Sequence, residues 1–450
     1  MAGPLRGREF HFIGIGGSGL SAYARLCHQL GASVSGSDRS SSPYLQALEA
    51  EGVVRAAIGH RPENLPDSPT TEVVHSAAVP ADNPELLAAR KRGLVVRSRA
   101  ELLAELTSLF KTVVVAGTHG KTTTAAMVRR GLCAAGLEVG WLIGGEPEPG
   151  LPNGEAGGGE WLVVEGDESD RSMVELRRDV AVLTNVELDH PDRFTSLSEL
   201  RELFAAFLAG AQRCAVPDHP DLLSLAPKGG KVIRYRPCQT TVTAAGTAFN
   251  YKGISVQLQV IGEHNASNAA AALAACELVG VDLAKAAAGL AGFPGAGRRF
   301  SFVGKTASGA LVYDDYAHHP TELEATLRAA RAAAGGGRVI AVFQPHLFSR
   351  TKRFHRRFGQ ALAAADLALC LEVFPAREEA SSFPGVDGLL VAQAAATAAR
   401  GRTLLWARTF EEGVKLLAHY LRPGDLVVVA GAGDVYRFAK LLVEGGDGQA

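Results

Sequence analysis

A chain of 450 residues allows about three domains at roughly 150 residues each, every one large enough to bury its own core. With 46 basic against 47 acidic residues, it gives no electrostatic case for a nucleic-acid or anionic-membrane partner. The six cysteines form no CxxC pair, and neither a signal peptide nor an apolar run of ~20 residues is visible, which excludes a disulfide framework, a zinc site and a membrane span, and leads us to expect a reduced, cytoplasmic protein.

Alanine and glycine alternate with β-branched runs, the pattern of α/β layers. Three domains are expected, at 1–111, 112–297 and 298–450. In the first, His11–Ile13 enters the loop Gly14-Ile15-Gly16-Gly17-Ser18-Gly19, and a helix is predicted from Leu20 to Leu30. Gly14, Gly16 and Gly19 fit G-x-G-x-x-G, and Asp38 ends a second strand, Ser33–Ser37, about twenty residues on. This Rossmann-like constellation suits a dinucleotide or a nucleotide-sugar diphosphate at the helix N-terminus, with Asp38 accepting from a sugar or base. The plainer alternative is glycines used only for close helix packing. Val73–Val79 reads as a strand closed by Pro80, which puts Ser76 and Ala77 at its carboxyl end, where such sheets place ligands. Glu85–Arg92 reads as a helix stopped by Gly93, and Leu94–Val96 as a further strand. His60, after Gly59, reads either as a phosphate donor or as a solvated loop histidine.

The second segment opens with the strongest signal in the chain. Val113–Val115 is a buried strand, and Gly117-Thr118-His119-Gly120-Lys121-Thr122-Thr123 follows it into a helix. The glycines let backbone N–H groups approach an anion, and the helix N-terminus adds partial positive charge. Lys121 would reach the terminal phosphates of ATP, and the Thr122 hydroxyl would sit on Mg²⁺. Val115 stands where G-x-x-x-x-G-K-[ST] has its first glycine; the alternative is an ordinary strand–helix turn. Trp161–Val164 is a strand that ends in Glu165, Asp167, Glu168 and Asp170. These carboxylates repel unless a cation or N–H groups compensate, so Glu165 is expected to face a metal. Val180–Val186 ends in Glu187, Asp189, His190 and Asp192. Because Mg²⁺ prefers oxygen, His190 reads equally as a metal ligand and as a structural histidine. Gly262–Asn268 opens an alanine-rich helix to Leu278 with Asn265 and Asn268 on one face, where an N-cap is the plainer reading and an amide on an adenine edge the sharper one.

Phe293-Pro294-Gly295-Ala296-Gly297 reads as a hinge, followed by Arg298 and Arg299. Beyond it, strands are predicted at Ala310–Tyr313, Val339–Phe343, Leu367–Leu371, Thr403–Trp406 and Leu426–Ala430, with helices between. Their ends carry Asp314 to His319, then Gln344 to His346 with Arg350 one turn on, then Gly431-Ala432-Gly433-Asp434. This is a doubly wound α/β domain whose polar strand ends suit binding.

The ordered blocks HFIGIGGSG, SAAVPADNPEL, GTHGKTTT, VVEGDESD, TNVELDH, GEHNASNA, GRRF, DDYAHHPTE, FQPH, SR and GAGDV resemble the Mur ligases from Phe12 to about Val435. The resemblance explains the missing first glycine, because that family's loop is the shorter GT[HN]GKT. It implies a P-loop ATPase-type central domain, and a C-terminal domain that closes on ATP and binds the amino acid. The implied reaction is ATP-driven amide formation between L-alanine and the lactyl carboxylate of UDP-N-acetylmuramate, in peptidoglycan precursor synthesis. Carried over by position, Gly14, Gly16, Gly17 and Gly19 would hold the UDP diphosphate, while Lys121 and Thr122 would hold ATP and Mg²⁺. Glu165 and His190 would be metal ligands, Asn265 and Asn268 would face adenine, and Arg298 or Arg299 with Asp315 would reach ATP. His319, His346 and Arg350 would meet the muramyl carboxylate and the amino acid. Both partners are small molecules, and a monomer or weak homo-oligomer is expected.

Three departures stand out: Leu347 where the family usually has arginine, EGD for EAD, and no lysine between Pro191 and Gln212 to match the carbamylated lysine of many relatives. The competing readings are a ligase that attaches a preformed tripeptide, an NAD-dependent oxidoreductase and a non-catalytic P-loop switch.

Overall fold

The computed structural model describes residues 3–445 except 77, 192 and 400. Its first sheet is built from β1 (Glu9–Ile13), β2 (Ser33–Asp38), β3 (Ala56–Ile58), β4 (Glu72–His75) and β5 (Val95–Ser98), all parallel in the order β3-β2-β1-β4-β5. Chain order reverses between β1 and β4, so the loops after those two strands flank the crevice where open α/β sheets bind ligands. The glycine loop follows β1 and runs into α1 (Ser18–Gln29). Helices α2 (Pro43–Ala50), α3 (Pro84–Lys91) and α4 (Arg99–Ser108) complete the layer. Asn83 caps α3 by accepting from the Glu85 and Leu86 amides, and Ser98 and Glu101 form a capping box on α4.

The second sheet comprises β6 (Lys111–Ala116), β7 (Val139–Leu142), β8 (Gly154–Glu155), β9 (Trp161–Glu165), β10 (Val180–Leu183), β11 (Arg213–Pro217) and β12 (Lys231–Tyr235). Its order is β12-β11-β10-β6-β9-β7-β8, parallel except for β8. Val113, Val114, Val115 and Ala116 are all fully buried, as a central strand covered on both faces must be. Helices α5 (Lys121–Ala134), α6 (Leu197–Ala209), α7 (Pro220–Leu223), α8 (Glu263–Val279) and α9 (Leu283–Leu290) accompany it. Arg25 of α1, itself buried, donates to Asn153 beside β8, and the Asn153 amide donates back to Ser18 and Ser21 of α1.

A third sheet is the antiparallel meander β13 (Cys238–Thr243), β14 (Gly246–Tyr251) and β15 (Ile254–Leu258). The fourth holds β16 (Ser301–Lys305), β17 (Leu311–Asp315), β18 (Val339–Phe343), β19 (Leu367–Leu371), β20 (Thr403–Ala407) and β21 (Leu426–Ala430) in the order β16-β17-β21-β18-β19-β20. Only β16 runs antiparallel to its neighbour. The period of two in its strands feeds two apolar faces. Ala341, Phe343 and Val428 pack with α10 (Pro320–Ala333), α11 (Phe348–Leu362) and α12 (Gly388–Ala398), whereas Ile340, Val342 and Val427 pack with α13 (Phe410–Ala418) and α14 (Tyr436–Glu444). The expected doubly wound architecture is therefore present.

The chain packs as two units. The first runs to Val186 and adds Arg201–Arg236 and Asn268–Leu290; the second takes Glu187–Leu200, Pro237–Ser267 and the chain from Ala291. No helix among the described residues is long and apolar enough to cross a membrane.

Several predicted boundaries move. β4 stops at His75 instead of Val79, because Ser76 turns the chain, its hydroxyl accepting from the Ala78 amide at 3.2 Å and its carbonyl from Val79 at 3.1 Å. Ala77 and Asp192, both named from the sequence, lie outside the described residues. β10 ends at Leu183 instead of Val186, since Thr184 and Asn185 are used elsewhere. The meander and β16 were not anticipated.

Candidate active site

After β1 the Gly14 and Ile15 amides donate to the Ser37 carbonyl at 2.8 and 3.1 Å, which ties the loop to β2. Asp38, expected to accept from a sugar or base, instead takes the Gly16 amide at 2.8 Å, and the Ser42 hydroxyl donates to the Gly16 carbonyl at 2.7 Å. Ser76, just past β4, lies beside the loop: a Cβ at Gly14 would lie 3.7 Å from its own. His60 is not a solvated loop histidine. Its Nδ1 lies 3.0 Å from the Ser37 hydroxyl, above the fully buried Glu85. Burial opposes charge on Glu85, but hydrogen bonds from His11, Ser37 and Asn64 hold its carboxyl below the usual range. This network braces the strands beneath the glycine loop.

The loop between β6 and α5 requires its glycines. Gly117 sits at φ +140, where a Cβ would lie 2.0 Å from the Thr184 hydroxyl. Gly120 is left-handed at φ +80 and caps α5, and its Cβ would meet the Asn268 side-chain oxygen at 2.5 Å. Thr184 and Asn185, just past β10, grip the loop from below. Asn185 accepts from the Thr118 amide at 3.2 Å and, through its side chain, from the His119 amide at 2.9 Å, while Thr184 donates to the His119 carbonyl at 2.7 Å. Lys121 lies across the loop, donating to the Gly117 carbonyl at 2.7 Å and to Glu168 at 2.8 Å. Burial disfavours its charge, yet the Glu168 and Asp167 carboxylates more than compensate and raise its pKa. The Thr122 hydroxyl stands 3.3 Å from Glu165, whose other oxygen accepts from the Gly144 amide at 2.8 Å. Thr122 and Glu165 thus form an oxygen-only pair at the start of the phosphate-facing helix, the donor chemistry that suits Mg²⁺.

Asn268 therefore lies against the phosphate loop. Asn265 is not the N-cap: helix α8 begins at Glu263, and the Asn265 side-chain Nδ2 donates to the Ile261 carbonyl at 3.0 Å.

In the second unit, polar groups collect at the carboxyl ends of β17, β18 and β21. Arg298 links Asp314, at 2.9 Å, to the Gly431 and Gly433 carbonyls at 2.9 and 3.1 Å, so it staples two strand-end loops together. The Arg299 guanidinium lies 5.1 Å from the Tyr316 ring centre. Asp315 accepts from the Phe300 and Ala317 amides, each at 2.8 Å. His319 is buried as the N-cap of α10, its Nδ1 accepting from the Thr321 amide at 3.3 Å. Arg350 and Asp189 are both almost fully buried and form a two-pronged ion pair at 2.9 and 3.1 Å. The remaining Arg350 nitrogen faces His346 Nδ1 at 3.1 Å. A guanidinium only donates, so Nδ1 is the acceptor and the His346 proton rests on Nε2. Burial, with His318 and Arg350 nearby, pushes His346 down to about 2, so it is neutral near pH 7. His190 adopts φ +49, its carbonyl accepting from the Arg193 and Phe194 amides. Leu347 is buried at φ +69 in the N-cap position of α11.

Asp315 yields a pH prediction. Burial pushes its carboxyl up to about 6, against the pull of Arg299 and the two amides. The folded state therefore favours the protonated form, a contribution present below the unfolded value of about 4 and lost as pH rises through about 6. Denaturant unfolding between pH 4 and 7 should show wild type losing roughly 2 kcal/mol more than Asp315→Asn, which cannot ionise. Parallel profiles would remove this assignment.

Residues 9–111 match the Mur ligase family catalytic domain, 115–276 the Mur ligase middle domain, and 298–433 the Mur ligase glutamate ligase domain. The UDP-N-acetylmuramate–L-alanine ligases of Streptomyces avermitilis and Kineococcus radiotolerans are 41% and 44% identical to this chain, covering 96% of it and 96% and 95% of their own lengths. The chain belongs to the Mur ligase family. The crystal structure of the UDP-N-acetylmuramate–alanine ligase of Thermotoga maritima superposes with a TM-score of 0.82 at 26% identity, covering 98% of this Mur ligase and 99% of that chain.

Sequence reasoning passed over several groups that shape this Mur ligase. Glu168, the counter-ion of Lys121, is in sequence only one of the four carboxylates at the end of β9. Thr184 and Asn185 sat inside a predicted strand, although a polar pair closing an apolar run was the available signal. Glu85 gave no signal at all, being one acidic residue on a predicted helix.

Proposed function

We propose that this chain joins L-alanine to the lactyl carboxylate of UDP-N-acetylmuramate at the expense of ATP, in peptidoglycan precursor synthesis. One observation carries the reading: the likeness to ligases named for that reaction runs over 96% of the chain, through both glycine loops. An oxidoreductase would have no use for Lys121, and a P-loop switch none for the loop after β1. A cytoplasmic setting is supported by six cysteines that are all free thiols.

In the proposed reaction the lactyl carboxylate attacks the γ-phosphorus of ATP and ADP leaves. The amine of L-alanine then adds to the acyl carbon of the acyl phosphate, and inorganic phosphate departs as the amide forms. The first step brings two anions together, so the chief task is charge neutralisation. Lys121 is proposed to transfer its hydrogen bonds from Glu168 to the terminal phosphates. Thr122 and Glu165 would hold Mg²⁺, which when bound neutralises polyphosphate charge; His190 is assigned as a further ligand by resemblance. Asn265 and Asn268 are proposed for adenine by resemblance. Gly14, Gly16, Gly17 and Gly19 are proposed for the UDP diphosphate. His346, His319 and Arg350 are proposed for the carboxylate and the amino acid, with neutral His346 donating from Nε2. Alignment of the reactants supplies the rest, with effective molarities of ~10⁵ M or more available to it.

Coupled ADP release tests the reading. ATP, UDP-N-acetylmuramate and L-alanine together should give turnover, with kcat/KM falling for L-serine and glycine. Preference for a preformed tripeptide over L-alanine would overturn it.

A further inference from the structure

Arg99 is the first residue of α4, directly after its cap Ser98. A cation there opposes the helix dipole, so α4 itself gains nothing from it. On one side the guanidinium pairs with Asp170 at 2.9 Å and Asp167 at 3.5 Å, in the acidic run that follows β9. On the other it rests on Gly19, the last glycine of the first loop: a Cβ built there would lie 3.6 Å from Arg99 Nη1. The other side chains that a Cβ built on that loop's glycines would meet are Asp38, Ser42, Ser76 and Val79, a carboxylate among them. A diphosphate seated there would meet the Asp38 carboxylate, and Arg99 is the neighbouring cation that offsets it. Arg99 and Asp170 remain 29% and 30% exposed, so their pair can open without unpacking a core.

We infer that Arg99 is a shared cation, exchanging its pairing with Asp170 for the diphosphate of the nucleotide sugar bound at Gly14–Gly19. This rests on the nucleotide-sugar reading of that loop. Occupancy of the first site is thereby coupled to the acidic run after β9, whose Asp170 and Asp167 share the Arg99 guanidinium. Carboxylate and diphosphate compete for one guanidinium, so removing the carboxylate charge strengthens nucleotide binding.

Calorimetric titration of the full chain with UDP tests this in wild type, Arg99→Ala, Arg99→Lys and Asp170→Asn. Asp170→Asn keeps the oxygen that accepts from the Ser172 amide and removes only the charge. Arg99→Ala should weaken UDP roughly tenfold or more, Arg99→Lys less, and Asp170→Asn should tighten it by about two- to fivefold. A merely structural ion pair predicts the same sign for Arg99→Ala and Asp170→Asn, namely weakening or no change, and that result overturns the inference. Should Arg99→Ala fail to fold, the opposite responses of Arg99→Lys and Asp170→Asn still decide it. Wild type that does not bind UDP would remove the nucleotide-sugar reading itself, whereas wild type and Arg99→Lys binding equally, with Asp170→Asn unchanged, would remove only the role of Arg99.

Discussion

Lys121→Ala should lower ATP-dependent turnover on the order of 10³-fold, the scale set by removing a preorganised donor from a site of developing negative charge. The loop geometry makes this loss hard to offset. The Lys121 ammonium lies across the loop between the Gly117 carbonyl and Glu168, and its charge is stabilised by the carboxylates around it. Alanine also takes the cationic partner from Glu168, whose side chain is only 1% exposed, so part of any effect will be lost stability. The double variant Lys121→Ala/Glu168→Gln separates the two. Its thermal midpoint should recover towards wild type while ADP release stays near zero. Turnover that recovers along with stability would show that Lys121 serves the fold and not the phosphates.

The second large effect concerns stability. Asp189→Asn should cost roughly 3–5 kcal/mol of unfolding free energy, as breaking a buried ion pair from one side does. Asp189 and Arg350 are 3% and 2% exposed and meet through two hydrogen bonds, so asparagine leaves a guanidinium buried without its counter-charge. The same change weakens the anchor that holds the Arg350 guanidinium against His346, and activity should fall even where the variant stays folded. Chemical denaturation reads the first effect and kcat under folded conditions the second. A loss below about 1 kcal/mol would place this pair with surface ion pairs and contradict its structural weight.

How much of this was legible beforehand follows from what each residue type is forced to do. The phosphate loop was readable because glycine, lysine and threonine after an apolar strand have few other uses; Gly117 and Gly120 then proved to need positive φ. The parallel strands of the last sheet were readable because Val339–Phe343 and Leu426–Ala430 are apolar on both faces. The meander was not, since Cys238–Thr243 is largely exposed and its neighbours turn through Lys252-Gly253, both at positive φ, without the usual asparagine or aspartate. Functional carboxylates were the hardest group. Asp38, Asp189 and Glu168 look alike in sequence, and their partners, the Gly16 amide, Arg350 and Lys121, lie 22, 161 and 47 residues away. Only folding assigns such pairs. Arg298 and Asp315 show the same effect: motif position sends them to ATP, while the structure gives each a full set of local partners.

The central claim is that the carboxylate of the sugar substrate is activated as an acyl phosphate. UDP-N-acetylmuramate labelled with oxygen-18 in its lactyl carboxylate tests it directly, by mass spectrometry of the phosphate released as L-alanine is joined. The account predicts a single labelled oxygen in each phosphate, with the other retained in the amide. Unlabelled phosphate formed alongside amide would contradict it.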